Sequence, residues 1–287
     1  MKDIKKTIFS NQSLQLLGID PKAFADLKPK LPKQPERLAF YMLLLVESGS
    51  GKHKIDFVDY CLDDNSFLFV RPGQVQEWID YHSLSGEIIL IDPLSLPHAE
   101  GFSGQVMQHL SLEHWPNSIT LSNPVKTDLI TSIQRLKQDI EGYDGSKMDI
   151  TLIQHELVGL LLRMSRWLRQ NEDTPKINTK SQKTFDLFKQ LLEQEYKHQP
   201  NLSFYAHRLG YSQSTISRAC LRTEGISAKK VIDQRISLEA KRMLVHSPLS
   251  VAEIGYSLGF SEATNFNKFF RRLENTTPQE FRHTARN

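Results

Sequence analysis

Two short stretches near the carboxyl end of the chain determine the architecture: Leu209-Gly-Tyr-Ser212 and Leu258-Gly-Phe-Ser261. They are almost the same tetrapeptide, repeated at an offset of 49 residues, and each follows a segment with helical periodicity. Glycine adopts a left-handed backbone at the end of a helix at little cost. The serine two residues later suits the start of a second helix, because its hydroxyl accepts from free backbone N–H groups. The repeat predicts two helix–turn–helix units, with Ser212 and Ser261 as caps.

The helix after each turn is predicted to bury one face and to expose the other. The residues predicted to pack inward are Ile216, Ala219, Cys220, Phe266, Phe269 and Phe270. The opposite faces carry hydroxyl, amide and basic groups, which suit base edges in a DNA major groove and phosphates. The predicted DNA-contacting residues are Ser212, Ser214, Ser217, Arg218, Arg222, Ser261, Thr264, Asn267, Lys268, Arg271 and Arg272. The alternative interpretation is that these faces are merely solvated.

Between the two units, residues 228–245 read as one helix with apolar residues along one side. Such a rigid connection would fix the spacing of the two reading helices. Reading helices about 34 Å apart enter successive major grooves on one face of a duplex. The pattern therefore predicts an asymmetric DNA site of two groove segments for each monomer.

The charge of the chain is unevenly distributed. Residues 176–287 contain 18 Lys and Arg against 10 Asp and Glu, a net charge of +8, whereas residues 1–175 contain 18 against 23, a net charge of −5. A basic segment beside an acidic one is typical of a nucleic-acid module attached to another domain.

Several protein classes are excluded by simple features. The longest apolar stretch, residues 40–46, is far shorter than the ~20 residues that span a bilayer, and the basic amino terminus lacks the apolar region of a signal peptide. Cys61 and Cys220 are too far apart in sequence to form a redox or metal motif. We therefore expect a cytoplasmic, nucleoid-associated protein with no membrane partner.

The amino-terminal part alternates short apolar runs with turn signals, which is typical of a small β-sandwich or barrel. The predicted strands are residues 39–46, 55–60, 66–70, 87–91 and 119–121. Residues 127–143 and 149–169 have helical periodicity and are predicted to form a helical hairpin. The predicted divisions are an amino-terminal arm over residues 1–34, a barrel over 35–125, a helical segment over 126–170, a linker over 171–182 and a DNA-binding domain over 183–287.

The second unit resembles the signature of the AraC/XylS family of transcription regulators. The residues that carry the resemblance are Ile254-Gly-Tyr-Ser-Leu-Gly-Phe260, Phe266-Asn-Lys-Phe-Phe-Arg-Arg272 and Thr277-Pro-Gln-Glu-Phe-Arg282. It is specific over residues 183–287 and implies two helix-turn-helix motifs, joined by a linker helix, that bind promoter DNA. Asn275 stands where the family has glycine, a change that is tolerable because Asn accepts left-handed geometry.

The amino-terminal half resembles the family's cupin-like sensor less specifically, through the strand–turn–strand of Leu68-Phe-Val-Arg-Pro-Gly-Gln-Val-Gln-Glu-Trp78. The resemblance implies an α+β protein of two domains, with an amino-terminal cupin-like β-barrel, a helical dimerisation hairpin and an all-α DNA-binding domain. Its implied partners are double-stranded promoter DNA, a second copy of the chain, RNA polymerase and a small-molecule effector, and its implied role is that of an activator.

Residues for catalysis are not evident. The histidines are scattered without a His-x-His pair, and there is no P-loop, nucleophile elbow or Cys–His arrangement, so no catalytic residue, metal or cofactor is predicted. An apolar ligand pocket in the barrel needs a few polar anchors. The candidate anchors are Arg37, Tyr41, Gln76, Trp78 and His82.

Three functions follow from these patterns. The leading hypothesis is a sequence-specific transcriptional regulator that a small-molecule effector controls through the barrel. The first alternative is an effector-independent regulator whose barrel only dimerises or binds protein, and a barrel filled by its own side chains would favour it. The second alternative is a cupin enzyme fused to a DNA-binding tail, which predicts bound metal.

Overall fold

The computed structural model describes residues 6–7, 18–96, 110, 112–171, 180–198 and 201–286 of the 287-residue chain. The chain divides into two compact units between residues 173 and 174. This division falls inside the predicted linker, whose residues 172–179 lie outside the described residues. No helix among the described residues is long and apolar enough to cross a membrane.

The amino-terminal unit is built on two five-stranded sheets. Its described strands are β1 (Lys6–Thr7), β2 (Ile19–Ala23), β3 (Glu36–Leu38), β4 (Tyr41–Ser48), β5 (Gly51–Ile55), β6 (Val58–Leu62), β7 (Ser66–Val70), β8 (Val75–Asp80), β9 (Ser85–Ile91) and β10 (Ser118–Thr120), and a short helix α1 (Phe24–Leu27) follows β2. The strand order is β1-β3-β8-β5-β6 in the first sheet and β10-β7-β4-β9-β2 in the second. The described strands therefore form two open sheets, which corrects the prediction of a closed barrel.

Two further predictions for this unit are wrong. Residues 19–34 are not an arm, because β2 pairs antiparallel with β9 and Phe24 is fully buried. Pro21 is accommodated because β2 is an edge strand, where a missing N–H costs no ladder bond. Residues 55–60 are not one strand, because β5 and β6 form a hairpin that turns at Asp56, where φ is 54°.

The second sheet separates two apolar cores. Along β4, Leu43 and Leu45 pack toward the helices, whereas Met42, Leu44 and Val46 pack in the cluster that includes Ile55 and Trp78 of the first sheet. This alternation follows from the period of two in a strand. The second sheet is therefore buried on both faces.

The predicted helical hairpin is observed as α2 (Asn123–Glu141) and α3 (Lys147–Asn171), which pack against each other and against the second sheet. The ammonium group of Lys126 ties α2 to the sheet, since it donates to the Glu47 carbonyl oxygen at 2.7 Å and to the Asn65 amide oxygen at 2.8 Å.

The carboxy-terminal unit is helical. Its described helices are α4 (Lys180–Glu195), α5 (Leu202–Leu209), α6 (Gln213–Glu224), α7 (Ala228–His246), α8 (Val251–Ser257), α9 (Ala263–Glu274) and α10 (Pro278–Arg286). One apolar core joins them, and Phe185, Phe188 and Leu192 of α4 are part of it. The unit therefore includes a helix that begins at Lys180, inside the segment 171–182 that was predicted to be linker.

Candidate nucleic-acid interface

The first turn of the helical unit joins α5 to α6 as the repeat predicts. Gly210 has a left-handed backbone with φ 67°, and its N–H donates to the Ala206 and His207 carbonyl oxygens. Ser212 then caps α6, because its hydroxyl accepts from the Thr215 backbone N–H at 3.1 Å. The geometry predicted for Gly210 and for Ser212 is confirmed.

The second turn, between α8 and α9, differs by one residue. Gly259 is left-handed as predicted, with φ 84°. However, α9 begins at Ala263, so Glu262 occupies the cap position and makes no capping bond with its side chain. The predicted capping role of Ser261 is wrong, because this helix starts four residues after its glycine and not three. The one-residue gap in the repeat was the signal for this shift.

The first candidate reading helix, α6, buries Ile216, Ala219 and Cys220 as predicted. Of the predicted contact residues, Ser212, Ser214, Arg218 and Arg222 are exposed and Ser217 is half-buried. The Ser214 hydroxyl lies 2.8 Å from that of Ser212, and Arg222 donates to the Ser181 hydroxyl of α4 at 3.3 Å.

The second candidate reading helix, α9, buries Phe266 and Phe270, whereas Phe269 is only half-buried. The exposed predicted residues are Ser261, Thr264, Asn267, Lys268, Arg271 and Arg272. The Thr264 hydroxyl donates to the Glu262 carboxylate at 3.0 Å, and the Asn267 amide donates to the Ala263 carbonyl oxygen at 3.0 Å. Asn275 ends the helix with φ 57°, the left-handed geometry expected of it.

Two exposed cations occupy matching places on the two helices. Within residues 180–198 and 201–286, Arg218 of α6 and Lys268 of α9 have neither a hydrogen-bond nor an ion-pair partner. Each is the residue after the central polar position, Ser217 or Asn267. Both charges are available to a ligand, and nothing in the described helical unit must release them first.

Arg272 is placed differently. Its guanidinium donates to the Asp233 carboxylate of α7 at 3.0 Å, and it lies over the Phe269 ring at 5.8 Å. Lys229 approaches the same carboxylate at 3.2 Å. Arg272, which was predicted to contact DNA, is thus bonded to α7, the helix between the two helix-turn-helix motifs.

The connecting helix, α7, carries a buried charge network that joins it to α4. Arg235 donates to both carboxylate oxygens of Glu193, at 2.9 and 2.8 Å, and its guanidinium lies 3.8 Å from the centre of the Tyr196 ring. Glu239 accepts from Arg235 at 3.4 Å and from Arg242 at 3.3 Å. Burial alone would lower the pKa of Arg235, but Glu193, Tyr196 and Glu239 together outweigh burial and the pKa rises.

The candidate effector residues of the amino-terminal unit do not come together as predicted. Gln76 and Trp78 of β8 are buried. Tyr41 instead stacks on Phe69, at 5.8 Å between ring centres, in the core that faces the helices. Arg37 is half-buried between buried neighbours on β3, and His82 is exposed. Only two of the five candidates therefore face the space between the sheets.

His53 is the residue that the sequence reasoning missed. It is fully buried on β5, opposite Trp78, with 4.2 Å between the ring centres. Both of its ring nitrogens, the Gln76 amide oxygen and the Trp78 indole nitrogen lack hydrogen-bond partners among the described residues, although the other end of Gln76 donates to Glu36 at 2.8 Å. Burial lowers the pKa of His53 from 6.5 to about 3, although the neighbouring Gln76 side chain raises it slightly, so the ring is neutral. The available signal was the alternation of side chains along β5: Lys52 and Lys54 point outward, so His53 between them points inward.

Comparison with known proteins gives this geometry its context. A family model described as a helix-turn-helix domain matches residues 205–284. The HTH-type transcriptional activator RhaS of Escherichia coli is 24% identical over 264 residues, which cover 89% of this chain and 91% of RhaS. Residues 205–284 are therefore a helix-turn-helix domain of the AraC type, as the sequence resemblance predicts. The relative RhaS is a transcriptional activator, and a helix-turn-helix domain is a DNA-binding module.

Solved structures similar to this chain include two of ToxT from Vibrio cholerae. One is 11% identical with a TM-score of 0.43 and covers 92% of this chain and 97% of its own. The other, with unsaturated fatty acid bound, is 12% identical with a TM-score of 0.40 and covers 92% and 94%. An AraC-type DNA-binding domain protein from Chromobacterium violaceum is 24% identical with a TM-score of 0.34 and covers 37% and 94%.

Proposed function

We propose that this chain is a transcriptional regulator that reads promoter DNA with two helix-turn-helix motifs, α5–α6 and α8–α9, whose second helices enter successive major grooves. The observation that carries the proposal is the duplicated exposed face that follows two left-handed glycine turns. Ser214, Ser217 and Arg218 form this face in the first motif. Thr264, Asn267 and Lys268 form it in the second. Arg or Lys suits guanine, and Asn suits adenine.

Two further exposed cations on these helices suit phosphates. Arg222 and Arg271 lie in the last turns of α6 and α9. A contact to phosphate positions a protein on the duplex without reading its sequence. The net charge of +8 over residues 176–287 also attracts this part of the chain to the negatively charged phosphate backbone.

The test is selection of a preferred DNA site, followed by binding measurements with Arg218→Ala and Lys268→Ala. Loss of a base contact should cost about 1–3 kcal/mol on the preferred site and relax preference at one position. Lys147→Ala, which removes one charge from the other unit, is the matched control. Unchanged affinity and preference in both variants would overturn the reading assignment.

We further propose that an effector binds between the two sheets, at Gln76, Trp78 and His53. Buried polar atoms without partners carry a free-energy cost that a hydrogen-bonding ligand would remove. The ligand this favours is compact and uncharged, with both donors and acceptors. Thermal unfolding against a panel of neutral polar compounds, aromatic acids and fatty acids tests this. A ligand at one hundred times its dissociation constant stabilises its domain by about 2.7 kcal/mol.

A second candidate, an effector-independent regulator, is favoured by the packing of the same region. Phe24, Phe40, Leu44 and other apolar side chains fill the cluster between the sheets. Failure of the whole panel to raise the unfolding temperature, with DNA binding intact, would favour this candidate.

The proposed assembly is a homodimer that recruits RNA polymerase at a promoter, in the cytoplasm and at the nucleoid. Support for dimerisation through α2 and α3 comes from Met148 and Leu152, one helical turn apart and exposed by 81% and 47%. Support for recruitment comes from the relative RhaS, which is an activator. Leu152→Glu should produce monomers in sedimentation velocity, and an unchanged dimer would exclude this face.

A further inference from the structure

Three side chains on one side of α7 hold the end of α9. Asp233, Ser237 and Lys241 are four residues apart, so they form a stripe along the helix. Asp233 accepts from Arg272 at 3.0 Å. At the next two positions, the Ser237 hydroxyl and the Lys241 ammonium group donate to the two carboxylate oxygens of Glu274, at 2.5 and 3.2 Å. The last turn of α9 is therefore fixed at three points.

Burial makes these bonds consequential. Asp233 and Ser237 are only 6% and 2% exposed. Asp233 keeps Lys229 at 3.2 Å when Arg272 is removed, but it loses one of its two charge-assisted hydrogen bonds, which are about twice as strong as neutral ones. A rotation of α9 about its own axis would break the contacts of Arg272 and Glu274 together. Phe266 and Phe270 anchor α9 in the apolar core. The contacts with Asp233, Ser237 and Lys241 oppose its rotation about its own axis.

We infer that Arg272 is a positioning residue, which sets the angle of the second reading helix through Asp233 and makes no contact with DNA. The inference rests on the proposed reading role of α9. It revises the sequence prediction for Arg272 and adds Asp233, Ser237, Lys241 and Glu274 as residues that determine specificity from a distance. The residues of α9 that read base edges are then Thr264, Asn267 and Lys268, and Arg271 remains a phosphate contact.

The two roles predict opposite results for Asp233→Asn. If Arg272 positions α9, both Asp233→Asn and Arg272→Met should weaken binding to the preferred site about tenfold, and only through base pairs read by α9. Binding to random DNA should change by less than about twofold, because phosphate contacts remain. If Arg272 contacts phosphate, Asp233→Asn should leave binding unchanged or strengthen it, and Arg272→Met should weaken binding to all sequences and lower the salt slope by about 1.

The double variant separates a coupled pair from two independent effects. Asp233→Asn with Arg272→Met should bind no more weakly than either single variant. The exchanged pair, Asp233→Arg with Arg272→Asp, should recover part of the lost preference. Additive losses, or strengthened binding with Asp233→Asn, would overturn the inference.

Two further variants keep the test decisive. Ser237→Ala removes the bond to Glu274, introduces a stronger helix former and leaves no charge unpaired, so it perturbs the fold less than Asp233→Asn. It should weaken only the preferred site, by about threefold, and unchanged preference would contradict the positioning role. Lys268→Ala is measured in parallel. If Lys268→Ala leaves the preference for the selected site unchanged, the proposal that α9 reads DNA is wrong. If Lys268→Ala reduces that preference and the variants of Asp233, Ser237 and Arg272 do not, only the positioning role of Arg272 is wrong.

Discussion

Gly259 lies directly against the carbonyl oxygen of Lys197. A Cβ placed on Gly259 would come within 2.7 Å of that oxygen, and the residue already has φ 84°. Gly210, at the equivalent place in the first turn, has φ 67°. Among the described residues beyond its own chain neighbours, no atom lies within 4 Å of the position that a Cβ on Gly210 would take. Both turns require a left-handed residue, but only Gly259 is packed against main-chain atoms from another part of the chain.

We expect Gly259→Ala to destabilise the helical unit more than Gly210→Ala. At Gly210 the only cost is a left-handed backbone, about 1–2 kcal/mol. At Gly259 overpacking against main chain adds to it, for a total of about 3 kcal/mol or more. Urea unfolding of the full chain, followed by far-ultraviolet circular dichroism, measures the difference. Equal losses would show that the contact with Lys197 relaxes without cost.

The two serines that follow these turns should also differ. Ser212→Ala removes a cap from α6 and should cost about 1 kcal/mol of stability. Ser261→Ala should change stability by less than about 0.5 kcal/mol, because Ser261 does not cap α9. Chemical unfolding of the two variants tests the pair, and a full capping loss at Ser261 would contradict the observed start of α9.

Stability of the amino-terminal unit should fall in mild acid because of His53. Its pKa is 6.5 in an unfolded chain and about 3 when buried, so the unfolded state takes up the proton first. The contribution of His53 to the free energy of unfolding is therefore highest above pH 6.5 and decreases as the pH falls from 6.5 toward 3. Between pH 7 and pH 5 the loss should be about 2 kcal/mol. His53→Gln should flatten this dependence, whereas His82→Gln, at an exposed position, should not.

The salt dependence of DNA binding should separate the basic residues by role. Arg222→Ala and Arg271→Ala should each weaken binding to all sequences and lower the salt slope by about 1, as expected for a phosphate contact. Arg218→Ala should instead weaken the preferred site selectively. Fluorescence anisotropy at several salt concentrations distinguishes the two, and a base-specific loss for Arg222 or Arg271 would reverse their assignment.

Local patterns of the carboxy-terminal unit were sufficient to predict its turns and its buried faces. The glycine turns, the Ser212 cap and the inward faces of α6 and α9 depend on residues within a few positions of one another. The bond between Arg272 and Asp233 joins residues 39 positions apart, and an exposed-looking arginine beside Phe269 carries no local sign of such a partner. The predicted contact residues remain predictions, since no DNA is bound.

The amino-terminal unit was harder to predict because its pairing is long-range. Ile19 of β2 pairs with Ile91 of β9, 72 residues later. The four prolines over residues 21–35 led to the prediction of an arm in place of β2. Two sheets and one barrel also share the same pattern of short strands and turns. His53 was hidden between lysines, where only the two-residue alternation of β5 indicates that it points inward.

The bond between Arg235 and Glu193 sets a limit on transplanting this DNA reader. The helix-turn-helix match begins at residue 205, but Glu193 and the buried Phe185 and Phe188 come before it. A fragment cut at that point would leave the buried Arg235 guanidinium with only its longer bond to Glu239, and would open an apolar groove to water. A chimaera that joins this reader to another sensor must therefore place its joint before Lys180.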